Sequence, residues 1–100
     1  MNAKYTIKER IEYNGARSRT RHYAVYLTAE NAAEKCITWD CPKKMAQQFI
    51  QATLGLIDAN AALISLRKKA IGMKGDVLAR IAAKDLANEL ENFIKNNNNY

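Results

Sequence analysis

Arg17, Arg19 and Arg21 recur at every second position just after the dipeptide Asn14-Gly15. On an extended chain that spacing turns all three guanidinium groups to one side. A guanidinium group takes phosphate oxygens through two parallel N–H···O bonds and is less strongly hydrated than an ammonium group. The chemistry on offer is therefore recognition of anions. Lys8 and Arg10 on the preceding segment, together with His22, extend the set. A second cluster, Arg67, Lys68 and Lys69 with Lys74, falls where a helix should end, and cations there complement the helix dipole. The functional alternative joins them to the first set as one phosphate-tracking surface. Sixteen Lys and Arg against ten Asp and Glu give a net charge of +6, a balance that suits a polyanionic partner. Candidate residues for binding nucleic acid or another anionic partner are thus Lys8, Arg10, Arg17, Arg19, Arg21, His22, Arg67, Lys68, Lys69 and Lys74.

Residues for bond-making chemistry are scarce. His22 has no Ser or Cys neighbour in a nucleophile context. Gly15, Gly55, Gly72 and Gly75 are scattered and make no phosphate-cradling loop. Glu9 and Glu12 fall on opposite faces of a strand, while Asp58, Asp76, Asp85, Glu89 and Glu91 read as caps or solvated helix faces. Cys36 and Cys41 lie five apart rather than in a C-x-x-C. They read as buried thiols in a reducing compartment, and the additional ligands that zinc needs are not placed nearby. The expectation is a non-catalytic protein with no cofactor and no metal. No run approaches the roughly 18 apolar residues of a membrane span, and the first residues lack the apolar segment of a signal peptide. That points to a cytoplasmic protein of a cell, or of a phage or other mobile element within one.

These candidates need elements to hold them. Tyr5, Ile7, Ile11 and Tyr13 alternate with Thr6, Lys8, Arg10 and Glu12, which is the pattern of a half-buried strand. Asn14-Gly15 is a hairpin turn signal, and Tyr23, Val25 and Leu27 alternate on the return. A two-residue loop would send the two apolar sets to opposite faces. The connection must therefore hold an odd number of residues, or a strand must carry a bulge. One such register sets Ile7 opposite Tyr23, Tyr5 opposite Val25 and Glu9 opposite Arg21. It also turns the odd-numbered arginines toward the apolar side, so the tip must overhang whatever covers Tyr23.

Thr28 is a good N-cap, and Ala32, Ala33, Cys36 and Ile37 sit at helical spacing. A helix is expected there, with a third strand through Lys35 to Asp40 as the alternative. Asp40 is expected to cap a second helix with Pro42 in its first turn. Its apolar side is Met45, Ala46, Phe49, Ile50, Thr53, Leu54 and Ile57. The pattern continues through Ala61, Leu63, Ile64 and Leu66 to Ile71, as one helix or as two joined near Gly55 to Asn60. Gly72 and Gly75 are stop signals, and Asp76 caps the last helix, whose buried face is Leu78, Ile81, Ala82, Leu86, Leu90, Phe93 and Ile94. The whole is one α+β domain over 1–95: an antiparallel hairpin packed on three to four helices, followed by a disordered Asn-rich tail over 96–100.

The stretch from Leu66 to Ala82 resembles the first two helices of a phage-repressor helix-turn-helix, but no turn sets off a recognition helix between Ala82 and Lys84. Trp39 and Tyr26 are of the type that anchors partners, core filling being the alternative. Three functional readings follow. The first is a small basic protein that uses an arginine-bearing hairpin to engage nucleic acid or a nucleoprotein complex. The second is an inhibitor of a host nuclease or effector complex, since short, motif-free chains of this kind resemble anti-CRISPR proteins in profile. The third is a homo-oligomeric subunit, because Leu56, Leu63 and Leu66 exceed what one helix face buries. A monomer or a homodimer is expected.

Overall fold

A computed structural model describes residues 3–13, 15, 19–29, 32–72 and 76–97. Three strands, β1 (Ala3–Tyr13), β2 (Arg19–Ala29) and β3 (Lys35–Cys41), form an antiparallel sheet in that order. Three helices follow, α1 (Lys43–Thr53), α2 (Ala59–Gly72) and α3 (Val77–Asn97). The class is α+β, with three helices among the described residues.

The connection from Tyr13 to Arg19 spans five residues, the odd length that parity demands. Gly15 takes a φ of 116° within it, a region where a side chain is strained. The register is two residues away from the one drawn from sequence. Ile7 faces Val25, Tyr5 faces Leu27 and Glu9 faces Tyr23. Tyr5, Ile7, Tyr23 and Val25 still share one face, and that face packs on the helices.

Residues 35–41 form the strand and not the helix. β2 offers its second edge to them, and Thr28 ends up within β2 and not at a helix start. β3 is bulged: Tyr23 pairs with Cys41 but Val25 pairs with Thr38, so Trp39 and Asp40 together oppose Ala24. Asp40 does not cap α1; Pro42 holds the N-cap position with no side-chain cap.

The apolar run after Pro42 makes two helices. Gly55, at φ 77°, ends α1: its N–H bonds to the Ala52 carbonyl, and the Leu56 N–H bonds to the Gln51 carbonyl. This pair of bonds is the Schellman arrangement, and it favours glycine at that position. Asp58 then accepts the Asn60 N–H ahead of α2, and Asp76 accepts the Ala79 N–H ahead of α3. α3 runs unbroken past Ala82 and Lys84 and includes Asn96 and Asn97, so no recognition helix is set off there. Residues 98–100 lie outside the described residues.

The core joins Val25 and Cys41 from the sheet to Met45, Phe49, Leu63, Leu66, Leu86 and Leu90. Alanines fill the closest approaches, at Ala46, Ala52, Ala62, Ala79, Ala82, Ala83 and Ala87. This rotates the helices away from the faces drawn from their bulkier residues. Leu54, Ile64, Ile71, Leu78 and Ile81 are exposed, Ile71 to 83%. Tyr5 ties the layers together: its ring meets Phe49 edge-on at 4.9 Å, and its hydroxyl donates to Glu89 Oε2 at 2.6 Å. Burial, and then the Glu89 carboxylate, push that hydroxyl's pKa above the ordinary tyrosine value.

Phe49 is fully buried at the meeting point of sheet and helices. Phe49→Ala is expected to cost about 3–5 kcal/mol, from lost transfer energy plus a cavity. Urea unfolding followed by far-UV circular dichroism measures it; a loss below about 1 kcal/mol would mean that the core lies elsewhere.

Candidate anion-binding site

Eleven-residue strands rise about 3.3 Å per residue, longer than the helical layer needs. The helices cover Tyr5, Ile7, Tyr23 and Val25, whereas Ile11 and Tyr13 toward the tip are exposed, Tyr13 to 72%. The tip therefore overhangs, and Arg19 and Arg21 sit on it, opposite Tyr13 and Ile11. Arg21 Nε lies 3.5 Å from Glu9 Oε1 across the diagonal, with both side chains about half exposed. Glu9 and Arg21 thus meet as neighbours on one face without being directly opposed. An exposed pair at that distance is worth about 1 kcal/mol or less, so an incoming phosphate competes with it readily. Of Arg19 only the backbone is described, and Arg17 lies outside the described residues.

Lys8 and Arg10 do not join that side. Arg10 is opposite His22 and Lys8 is opposite Ala24, so both project from the face of the ribbon opposite to the one that packs on the core. Cations thus stand on both faces. Lys8 is well occupied. Its Nζ donates to Glu34 Oε1 at 2.6 Å and lies 4.5 Å from the centre of the Tyr26 ring. The hydrogen bond to Glu34 is the main reason that its pKa rises.

Arg10 is different. Its guanidinium carbon stacks 4.0 Å above the Trp39 ring, and among the described residues no carboxylate pairs with it. Beside it, His22 Nδ1 donates to Asp40 Oδ1 at 2.7 Å. An ionised carboxylate only accepts, so the ring hydrogen belongs on Nδ1. Arg10, Ile11, His22, Trp39 and Asp40 line a cleft of about 320 Å³. His22 and Asp40 also wall a second hollow of about 210 Å³, closed by Arg21, Cys41 and Pro42, by Asp76, and by Leu78 and Ala79 of α3. Sequence reasoning placed His22 with the cations and named Trp39 as a partner-anchoring type, but missed the stack of Trp39 with Arg10 and the pairing of Asp40 with His22. The bulge that sets those two side by side carries no local signature.

The second basic cluster is partly spent on packing. Arg67 is bonded to Glu91 across the α2–α3 pair, and Glu91 also holds Lys95 at 3.1 Å. The Lys95 and Arg67 contacts hold the Glu91 carboxyl below its ordinary pKa, Lys95 having the larger effect. Lys68 is exposed and Lys69 partly so; Lys74 lies outside the described residues. Among the described residues, no group of three or more His, Cys, Asp and Glu side chains clusters as a cation site, and no helix is long and apolar enough to cross a membrane.

Comparison of the chain with protein-family models, curated proteins and solved structures found no match.

Both cysteines are free thiols, Cys36 exposed and not buried as read from sequence, Cys41 buried. Burial first, and Asp40 second, push the Cys41 thiol up to about 12. Thiolate is the reactive species, so Cys41 is protonated and inert near pH 8. A disulfide-exchange reagent at pH 8 is expected to titrate one thiol at once, and the second only after denaturant is added. Immediate reaction of both would place Cys41 outside the core.

Proposed function

We propose that this chain is a non-catalytic binding protein that engages a polyanion, either nucleic acid or a nucleoprotein complex, through its overhanging hairpin. The observation that carries this reading is the overhang itself: a ribbon end beyond the helices, with Arg21 half exposed on one face and Arg10 on the other. A two-stranded ribbon with cations on both faces fits into a nucleic-acid groove or along a phosphate backbone. The His22–Asp40 pair does not argue for acyl transfer, because the neighbouring Cys41 thiol is buried and held protonated.

Gel shifts over a range of salt concentrations test the proposal. Each phosphate neutralised on duplex DNA contributes about 0.9 to the slope of log affinity against log salt. Replacing Arg17, Arg19 and Arg21 together by Ala should flatten that slope by about 2–3 and leave the melting temperature within a few degrees. Unchanged affinity and slope in the triple variant would refute the assignment.

A protein partner is the second reading, including inhibition of a host nuclease or effector complex. Exposed Val77, Leu78 and Ile81 at the start of α3 favour it, since neighbouring apolar side chains on a surface mark contact sites. Pull-down from lysate with and without nuclease separates the two. If nucleic acid is the partner, nuclease should strip the bound material. Recovery of one protein in undiminished amount after digestion would favour the second reading.

A further inference from the structure

Among the described residues, four lysine and arginine side chains have carboxylate partners: Lys8 with Glu34, Arg21 with Glu9, and Arg67 and Lys95 with Glu91. Arg10 is charged, held in place by an indole, and has no such partner among the described residues. The indole is that of Trp39, the single tryptophan in the chain, and it remains 58% exposed despite the stack. An aromatic ring left this open on the sheet face opposite to the core is not there to fill the core. The bulge in β3 aims it beside Arg10, and the largely buried His22–Asp40 pair also lines the cleft.

From this geometry we infer that the cleft is a subsite for one nucleotide of a single-stranded nucleic acid. The base stacks on the Arg10–Trp39 pair, and the guanidinium edge takes the adjoining phosphate. Three features select that occupant. Its base offers the flat π-face that an indole–guanidinium stack accepts, and single strands expose such faces where duplexes hide them. Its phosphate supplies the negative charge that Arg10 otherwise lacks. The volume of about 320 Å³ lies at the small end of ligand clefts, too small for a duplex and suited to a single unit. The Asp40 carboxylate retains acceptor capacity beyond its bond to His22, enough to receive an exocyclic amino group of the base.

This inference rests on the polyanion reading and refines it, and one set of titrations separates their fates. The fluorescence of Trp39 is followed while full-length protein is titrated with a single-stranded oligonucleotide, a duplex of equal length, and inorganic polyphosphate, which has charge but no base. The single strand is expected to quench the indole, whereas polyphosphate binds without comparable quenching. Trp39→Ala should weaken single-strand binding roughly ten-fold and leave polyphosphate binding within two-fold. Trp39→Phe should restore part of the loss. Arg10→Ala, a surface change checked by circular dichroism, should also weaken single-strand binding and provides an independent variant. Single-strand affinity unchanged in both alanine variants would overturn the subsite, and the polyanion reading would survive if polyphosphate still bound through the hairpin arginines. Failure of every polyanion to bind the wild-type chain would overturn both.

Discussion

The pairing of β1 with β2 through an odd, five-residue connection decides what this molecule hides and what it shows. Side chains alternate with a period of two, so a shift of one residue would exchange the faces. Either Tyr5 and Ile7 would then meet water while Lys8 and Arg10 met the helices, or Tyr23 and Val25 would meet water while His22 met the helices. Burying even one of those cations without a partner would cost several kcal/mol, far beyond anything the turn recovers. The register is thus enforced from both sides. With the helices packed against Tyr5, Ile7, Tyr23 and Val25, Lys8, Arg10 and His22 are delivered to the other face, and Arg10 and His22 become opposed neighbours.

The β3 bulge makes a cleft out of that neighbourhood. In a regular ladder Trp39 and Asp40 would point to opposite faces, and only one of them would reach the outer surface. Because both oppose Ala24, the indole reaches Arg10 and the carboxylate reaches His22 on the same strip of sheet. Bulges are used in this way to re-aim side chains near sheet edges. The same irregularity keeps Thr38 and Cys41 buried at a spacing of three, so the strand still contributes to the core.

That spacing also explains what could not be read from the residues. Period two is the signal for a strand, and β3 lacks it; Ala32, Ala33, Cys36 and Ile37 happen to match helical spacing instead. The need of β2 for a partner on its second edge is a tertiary fact, invisible along the chain. The hairpin, its parity, its overhanging tip and the Asp76 cap were legible because alternation, loop parity and capping are local. Helix existence was legible for the same reason, but helix rotation was not. Ranking by bulk put Leu78 and Ile81 inside, whereas Ala79 and Ala83 join the expected Ala82 in facing the core because small side chains let the layers approach. Among the candidate site residues, the cations were chosen for their charge. Trp39 and Asp40 were overlooked as a pair because only the bulge makes them one.

The distribution of carboxylates determines where positive charge is left over. Glu89 anchors Tyr5, Asp58 and Asp76 cap helices, Glu91 clasps α2 to α3 through Arg67, and Glu34 takes Lys8. Most of these acids sit at junctions between elements, where a hydrogen bond orders the fold, and not on the outer sheet face. With +6 in total, the surplus must lie where no junction needs an acid. The end of the ribbon is such a place. An exposed β edge carrying unneutralised charge also resists pairing with another copy. Charge kept there against aggregation and charge kept there for a phosphate partner are therefore satisfied by the same side chains. What distinguishes them is Arg10: a cation needed only for repulsion has no need of an indole to hold it still, because a mobile charge repels equally well. A stacked guanidinium has given up rotamer freedom in advance, and that favours binding a ligand in one defined position.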